Sequence, residues 1–335
     1  MPFSDIPGNG RVKKILKLAL ARRRVPNSLL FAGPRGVGKR RTAIVLAQAL
    51  NCLTLEDDAC GACANCRAIA VGLEDPEEKG FPDVIGIARF KDKQEILIEQ
   101  MQELRTIATL TPMIGRRKVF IIDEAERMND ESSNCLLKVL EEPPRTSHIV
   151  LVTANPSRIL PTIKSRCQTM SFLPIATEEI EHALRERGFE EEKSRILALL
   201  VHGNLELALR LDWDEIQARR EETWELFRGL VGGGEASRFL RRFAYQKKAE
   251  VKEALEETLE LFSSFCRDLV LLCDGGDPGL LLNPDFEARL RECGDEAGYE
   301  RAVRFLTAID GAFADLRLNL NTSLLISALY SQVRG

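Results

Sequence analysis

The sequence predicts an α/β P-loop domain with a parallel five-stranded sheet, followed by a small helical lid and an all-helical C-terminal domain. Two observations support this fold class. Short β-branched apolar runs alternate with helical patterns through the first half of the chain, which is typical of strands and crossover helices in a doubly wound sheet. The glycine-rich stretch 33–39 follows the first run directly, as the phosphate-binding loop does in P-loop proteins.

Each element has a sequence signal of its own. Four strands are predicted from buried apolar runs, and a fifth follows them near the end of the domain: 29–32, 84–87, 119–122, 149–152 and 169–172. Behind the glycine-rich loop, Ala43, Ala47 and Leu50 share one face of a helix, as expected of a crossover helix that packs on the sheet. The strand pattern ends at Pro174, and Thr177 then begins purely helical sequence.

Three domains are therefore expected. Residues 1–173 form the α/β domain, residues 174–212 the helical lid, and residues 213–335 a helical domain with sequence breaks at 232–234 and 274–279. A chain of 335 residues is long for a single hydrophobic core, which agrees with this division.

The composition is that of a soluble globular protein, with 44% hydrophobic and 29% charged residues. A net charge of -4 argues against a protein that coats DNA by charge alone. We interpret the basic runs at 22–24, 116–118 and 238–248 as solvated surfaces, with a nucleic-acid groove as the alternative. There is no signal-peptide pattern and no apolar run long enough for a bilayer, so we expect a cytoplasmic protein without membrane contact.

The glycine-rich loop predicts a nucleotide site. Backbone N–H groups around Gly33, Gly36 and Gly38 can hold phosphates, and Lys39 can reach the outer ones, so ATP or ADP binding is expected here. Arg40 stands where such loops have a serine or threonine whose hydroxyl binds magnesium. We therefore expect little or no intrinsic hydrolysis.

Polar residues follow the third and fourth predicted strands. In a P-loop protein, Asp123 would belong to the magnesium shell and Glu124 would polarise the attacking water. Because Arg40 replaces the hydroxyl, the role of Glu124 would be vestigial. Asn155 follows the fourth strand, at a place where a polar side chain can sense a γ-phosphate.

Four of the nine cysteines form a C-x7-C-x2-C-x2-C cluster: Cys52, Cys60, Cys63 and Cys66. This spacing predicts a closed tetrahedral zinc site in a module at 52–66, which would be structural because no position is left for substrate. The alternative is four reduced thiols on a loop. The remaining cysteines are expected to act as small buried hydrophobic residues: Cys135, Cys167, Cys266, Cys273 and Cys293.

Three segments resemble the bacterial clamp-loader AAA+ family of DNA polymerase III: FPDV at 81–84, NCLLKVLEEPP at 134–144 and LPTIKSRC at 160–167. The resemblance covers the first 210 residues, and LNLN at 318–321 matches more loosely. It implies a RecA-like AAA+ domain, zinc held by the cysteine module, and a helical collar that joins a ring of subunits. It also implies that Arg166 is an arginine finger acting on the ATP of a neighbouring subunit.

Two kinds of family member fit. The motor subunit, tau/gamma, needs serine or threonine after its loop lysine and an arginine in its second sensor, whereas this chain has Arg40 and Leu207. The resemblance is therefore to a stator subunit. Its implied partners are the tau/gamma and delta subunits and, through the complex, the sliding clamp and primer–template DNA. A tau/gamma-like ATPase remains an alternative. So does a zinc-dependent nucleic-acid-binding module, although the acidic balance and the 6% aromatic content are unfavourable for it.

Overall fold

The computed structural model describes residues 1–74, 80–90, 93–231, 239, 242–243, 248–317, 325–329 and 331. The glycine break at 232–234, most of the basic run 238–248 and the motif at 318–321 lie outside these residues. The chain packs as two compact units: Met1–Ser194 with Val201–Leu209, and Arg195–Leu200 with Arg210–Gly335. The predicted domain boundaries at 173 and 212 stay predictions. None of the helices in the described ranges is long and apolar enough to cross a membrane.

The first unit contains the predicted parallel sheet. Its strands are β1 (Ser28–Ala32), β2 (Val84–Ile87), β3 (Lys118–Ile122), β4 (Ser147–Thr153) and β5 (Gln168–Ser171), in the order β2-β3-β4-β1-β5. Every neighbouring pair is parallel. The five-stranded sheet is therefore confirmed, with strand ends that differ from the predicted ones by up to two residues. Strands β1, β3 and β4 are buried along their whole length, as continuous apolar runs require.

Helices cover both faces of the sheet. In chain order, the helices that precede the long C-terminal ones are α1 (Gly10–Ala21), α2 (Lys39–Leu50), α3 (Ala64–Glu74), α4 (Ile98–Ala108), α5 (Asp130–Glu141), α6 (Pro161–Lys164), α7 (Thr177–Arg185), α8 (Glu191–Leu200) and α9 (Leu205–Arg210). Alternate strand residues, such as Leu30, Ile122 and Leu151, pack with Leu104 of α4 and Leu136 of α5 in one buried cluster. The carboxyl ends of β1, β3 and β4 then lie side by side, which brings together the residues that follow them.

The second unit is helical and has an aromatic core. Its long helices are α10 (Trp213–Val231), α11 (Lys248–Cys273), α12 (Glu287–Ala297) and α13 (Tyr299–Arg317). The ring of Phe227 lies 5.6–5.8 Å from those of four other aromatic residues: Trp224, Phe262, Phe265 and Phe305. Such clusters combine large buried apolar area with favourable ring geometry. The described part of this unit contains no strand, in agreement with the sequence pattern.

A fully buried arginine holds one loop of this helical unit in place. Arg220 on α10 donates two hydrogen bonds to the carboxylate of Asp285, at 2.7 and 2.8 Å, and a third to Asn283 Oδ1 at 3.0 Å. The carboxylate of Asp268 accepts the backbone N–H groups of Leu282 and Asn283 at 3.0 and 2.7 Å. The loop before α12 is therefore fastened to α10 and α11 by charge-assisted hydrogen bonds.

Candidate functional site: the phosphate-binding loop and the cysteine cluster

The phosphate-binding loop connects β1 to α2 and requires glycine at its turning points. Gly36 and Gly38 have φ values of 69° and 86°, a conformation that side chains with a Cβ seldom adopt. Gly36 also lies against the lid, because a Cβ built there would be 1.5 Å from Asn204 Oδ1. Asn204 in turn caps α9 by accepting the backbone N–H of Leu207 at 3.0 Å. The lid residue that follows Gly203 thus packs directly on the loop.

Lys39 begins α2 and points back into the loop. Its Nζ donates to the carbonyl oxygen of Gly33 at 2.7 Å and to that of Pro34. Burial lowers the pKa of Lys39, while the carboxylates of Glu126 and Asp123 act in the opposite direction. The ammonium group is therefore held at the inner side of the loop by backbone oxygens, close to two acidic side chains.

Arg40 is bonded to the carboxylate that would serve a metal ion. Its Nε lies 3.2 Å from Asp123 Oδ2, and its Nη2 donates to the carbonyl oxygen of Leu73 at the end of α3. Burial raises the pKa of Asp123, and the Arg40 guanidinium opposes that rise. A P-loop magnesium ion needs the hydroxyl that position 40 lacks, together with a free carboxylate on the next strand. The residues present do not fit a magnesium site.

Glu124 also has cationic partners. Its Oε2 lies 3.1 Å from Arg89 Nε, and its Oε1 lies 3.8 Å from Arg35 Nη2. The residue has a φ of 47°, which is uncommon for glutamate, and its N–H donates to Asp123 Oδ1 at 3.0 Å. Asp123, predicted for the magnesium shell, and Glu124, predicted as the vestigial catalytic acid, are thus both paired with guanidinium groups of the same chain.

Glu126 is an acid of this site that the sequence reasoning missed. It is buried, its Oε1 accepts the N–H of Ala154 at 3.3 Å, and its charge opposes the lowering of the Lys39 pKa by burial. Its Oε2 has no hydrogen-bond partner among the described residues. The residue lies in a short 3-10 turn after β3, where no pattern in the sequence distinguishes a buried acid from an exposed one.

Asn155 and Arg166, the other predicted polar residues, are bonded to residues other than Lys39. Asn155 is exposed after β4, with its N–H donating to Thr153 Oγ1 at 3.0 Å and its Oδ1 accepting from Ser157 Oγ. Arg166 lies between α6 and β5, and its side chain is 35% exposed. Its guanidinium bonds to Glu141 Oε1 at 2.8 Å and to Thr162 O at 3.0 Å. The side chain thus stays partly exposed despite these two contacts.

The four cysteines of the 52–66 module form a cluster suited to a metal ion. Their sulfur atoms all lie within 4.8 Å of one another, and Cys60 Sγ is 3.9 Å from Cys66 Sγ. Zinc–sulfur bonds of about 2.3 Å in a tetrahedron place sulfur atoms roughly 3.8 Å apart. The cluster therefore has the dimensions of a four-thiolate site.

Backbone donors contact three of these sulfur atoms, whereas burial raises the pKa of the fourth cysteine, Cys66. Cys60 Sγ accepts the N–H of Cys63 at 3.2 Å, Cys63 Sγ accepts that of Cys66 at 3.5 Å, and Cys52 Sγ accepts that of Leu55 at 3.4 Å. Hydrogen bonds from the Thr54 side chain and the Cys63 N–H lower the pKa of Cys60 to about 5. Donors of this kind stabilise thiolates, the form in which cysteine binds metals.

Comparison with known proteins gives matches to subunits of DNA polymerase III. The family model described as DNA polymerase III, delta subunit matches residues 8–176, about half of the chain. The delta' subunit of Bacillus subtilis is 27% identical over 319 residues, which cover 95% of this chain and 94% of that protein. The tau subunit of Escherichia coli is 36% identical over 217 residues, which cover 62% of this chain but only 32% of tau. A solved gamma-subunit-related protein of Thermotoga maritima aligns over 96% of this chain with 18% identity and a TM-score of 0.42.

The match to the family model includes the strand β1, the phosphate-binding loop, the cysteine cluster and Arg166, all of which lie within residues 8–176. The similarity to the Bacillus subtilis protein extends through the helical second unit as well. This chain belongs to the DNA polymerase III delta-subunit family of clamp-loader proteins.

Proposed function

We propose that this chain acts as the delta prime subunit, the stator, of a DNA polymerase III clamp loader, which loads the sliding clamp onto primed DNA. The observation that carries the proposal is the contrast between two arginines. Arg40 is engaged with Asp123 inside the chain's own nucleotide loop, whereas Arg166 is partly exposed and, within the described ranges, bonded only to Glu141 and Thr162. The first arrangement opposes hydrolysis by this chain, and the second leaves a guanidinium that a neighbour's nucleotide can use.

The proposed partners follow from the stator role. Residues 213–335 would form the collar through which the chain joins the tau/gamma and delta subunits. Arg166 would approach the ATP of the adjacent tau/gamma subunit and stabilise the negative charge that develops on the transferred phosphoryl group. Gly33, Gly36, Gly38 and Lys39 would still bind the phosphates of ATP or ADP. Hydrolysis there would be negligible because Arg40 has no hydroxyl and both acids are paired.

The cysteine cluster would hold one structural zinc ion. Cys52, Cys60, Cys63 and Cys66 would supply four thiolates and leave no open coordination position. The ion would then hold the loop between α2 and α3 in place. The last turn of α3 includes Leu73, whose carbonyl oxygen accepts a hydrogen bond from Arg40.

Reconstitution tests the stator role directly. The full-length chain is mixed with separately purified tau and delta subunits, and the mixture is analysed by size-exclusion chromatography and by a clamp-loading assay on primed DNA. We expect a complex that contains this chain, and clamp loading that requires it. A chain that neither enters the complex nor changes loading would contradict the proposal.

A tau/gamma-like motor is the second candidate, because identity to the Escherichia coli tau subunit (36%) exceeds identity to the Bacillus subtilis delta' subunit (27%). ATP hydrolysis by the purified chain separates the two. The stator role predicts no turnover above that of Lys39→Ala. Turnover that Lys39→Ala abolishes would favour the motor.

A further inference from the structure

Two basic segments that are distant in the sequence meet at one cavity of the first unit. Arg23 comes from the run 22–24, and Arg116 and Arg117 come from the run 116–118. With Arg145 they line a cavity of about 620 Å³. Arg117 directly precedes β3 and Arg145 lies just before β4, so the cavity is at the amino edge of the sheet. The nucleotide loop follows β1 at the opposite, carboxyl edge.

The charge of this cavity is not balanced by the protein. Its lining carries four guanidinium groups and one carboxylate, that of Glu56, which is already paired with Arg23 at 2.8 Å. The guanidinium of Arg117 donates to the backbone oxygen of Arg145 at 3.2 Å. Within the described part of the chain, the side chains of Arg116 and Arg145 have no acceptor. A chain with a net charge of -4 therefore concentrates positive charge at this one place.

Buried polar groups hold these arginines in position. Asn51 is fully buried, and its Oδ1 accepts the backbone N–H groups of Arg116 and Arg117 at 2.8 and 3.0 Å. Asn27 Nδ2 donates to the carbonyl oxygens of Pro144 and Ser147, on either side of Arg145, at 3.0 and 2.8 Å. Because the backbone is fixed, binding an anion would order only the arginine side chains.

We propose that this cavity binds consecutive phosphate groups, either of a nucleic-acid strand or of a free polyphosphate. The planar guanidinium fork matches the oxygen atoms of a phosphate and can grip two of them. No phenylalanine, tyrosine or tryptophan lines the cavity, and the one ring in its lining, that of His148, is buried and bonded to the carbonyl oxygen of Pro26. The cavity therefore offers no exposed ring on which a base could stack. The binding is therefore independent of base sequence. It is also independent of the stator role, because neither Arg166 nor the nucleotide loop contributes to the cavity.

A binding titration with the full-length chain tests this proposal. Fluorescein-labelled oligothymidylate is titrated by anisotropy at several salt concentrations, and unlabelled tripolyphosphate is added as a competitor. The test variant is Arg116→Ala/Arg145→Ala. The matched control is Arg67→Ala/Arg105→Ala, which removes two exposed arginines of the same unit that do not line the cavity.

The test variant should bind the oligonucleotide several-fold more weakly at low salt than wild type and control. The slope of log affinity against log salt should also fall by roughly 1.4, since each lost contact to a single strand removes about 0.7. Tripolyphosphate should compete with the oligonucleotide on the wild-type chain. Binding of tripolyphosphate alone, lost in the test variant, would identify free polyphosphate as the ligand.

Two results would overturn the proposal: a wild-type chain that binds neither ligand, or a test variant that binds as the control does. Circular dichroism checks that both variants fold. Arg145→Gln, which changes one exposed side chain without a partner, serves as a second variant if the double substitution is unstable. Assembly with tau and delta is measured in parallel. Normal assembly of the test variant separates the loss of phosphate binding from a failure of the stator role.

Discussion

At the scale of single residues, Arg40 and Arg166 are both arginines, but their guanidinium groups differ in their bonding partners. The Arg40 guanidinium is held by the Asp123 carboxylate and the Leu73 carbonyl. The Arg166 guanidinium has one carboxylate partner, Glu141, on a surface where both side chains are partly exposed. An exposed ion pair contributes only about 0–1 kcal/mol to stability. The cost of replacing Arg166 should therefore appear in function rather than in folding.

We expect Arg166→Ala to leave the subunit folded and assembled, and to slow hydrolysis at one site of a reconstituted ring. Loss of an arginine finger typically slows hydrolysis about 10³-fold or more. Arg166→Lys should rescue only partly, because an ammonium group lacks the planar fork. ATP turnover and clamp loading by the assembled complex are the measurements.

The matched control is Glu141→Ala, which breaks the same ion pair but keeps the arginine. It should lower stability as little as Arg166→Ala does and leave ATP turnover unchanged. Equal loss of turnover in both variants would show that Arg166 acts through the packing of α5 and α6 instead.

Asp83 of the FPDV segment fastens the loop before β3. Its carboxylate accepts the backbone N–H groups of Met113, Ile114 and Gly115 at 2.8, 2.8 and 2.7 Å. Burial alone would raise the pKa of Asp83, but these three donors outweigh it and lower the pKa below the ordinary value of 3.8. Because the pKa of this carboxyl group is lower in the folded protein, the ionised carboxylate stabilises the fold at pH values above its ordinary pKa. That stabilisation is lost as the pH falls through the folded-state pKa.

Asp83→Asn should destabilise the first unit by about 1–3 kcal/mol at neutral pH, because an amide keeps one acceptor oxygen and loses the charge that strengthens these three hydrogen bonds. The difference from wild type should shrink as the pH falls below the ordinary value of 3.8. Urea unfolding at several pH values measures both effects. Asp57→Asn, at an exposed acid of the same unit, is the control, and a variant at position 83 that unfolds as this control does would contradict the assignment.

The identities of the site residues could be read from the sequence, but their pairings could not. Gly33, Lys39 and Asp123 follow from spacing, since a phosphate-binding loop and a strand that ends in acids are local patterns. The bond between Arg40 and Asp123 joins residues more than eighty positions apart, counted on the printed sequence, and depends on β1 and β3 meeting at one edge. Glu126 and the contact of Asn204 with Gly36 likewise depend on tertiary packing.

At the scale of elements, the strands β1, β3 and β4 were recognisable because each is buried on both faces. A run such as Val119–Ile122 has no exposed position, so its apolar sequence alone marks it. Strand β5 is mostly exposed, with only Met170 buried, and its predicted range was displaced by one residue. The ends of strands were less predictable, since polar residues such as Ser147 and Lys118 are buried inside β4 and β3.

The segment between α2 and α3 gives a prediction about metal content. Cys63→Ser should lower the zinc content of the purified protein from about one ion per chain to near zero, because a hydroxyl is a poor replacement for a thiolate ligand. The thermal midpoint of the first unit should fall with it, since metal affinity contributes to folding. Elemental analysis and thermal unfolding, with and without chelator, measure the two effects.

Cys273→Ser is the control, because this half-buried cysteine lies in the second unit and outside the cluster. It should keep the full metal content. A wild-type chain purified without chelator that contains no metal would contradict the zinc assignment.

At the scale of the whole molecule, each unit has its own buried polar anchor. In the helical unit the anchor is Arg220, whose bonds to Asp285 and Asn283 compensate for the burial of its charge. Its guanidinium also lies 4.9 Å from the centre of the Phe286 ring. Removing one partner of a buried ion pair costs roughly 3–5 kcal/mol, because the other charge is left unpaired.

We expect Arg220→Met to destabilise the second unit strongly and to increase amide hydrogen exchange at Leu282 and Asn283. Arg220→Met combined with Asp285→Leu should recover part of the loss, since no buried charge then remains unpaired. Hydrogen exchange read by mass spectrometry is the measurement. Arg289→Met, at an exposed arginine that also lies near Phe286, is the control. Exchange at Leu282 and Asn283 that rises no more than in this control would contradict the role given to Arg220.

The two bonds of Arg40 also constrain how the sequence can change over evolutionary time. A single substitution of Arg40 by serine would restore a hydroxyl, but it would leave the Leu73 carbonyl and the Asp123 carboxylate without their guanidinium partner. Leu207 would still occupy the position at which motor subunits of the family have a sensing arginine, and Asn204 would still contact Gly36. A change at position 40 alone would thus remove two bonds without completing a site for hydrolysis. Several substitutions would have to occur together before such a site could form.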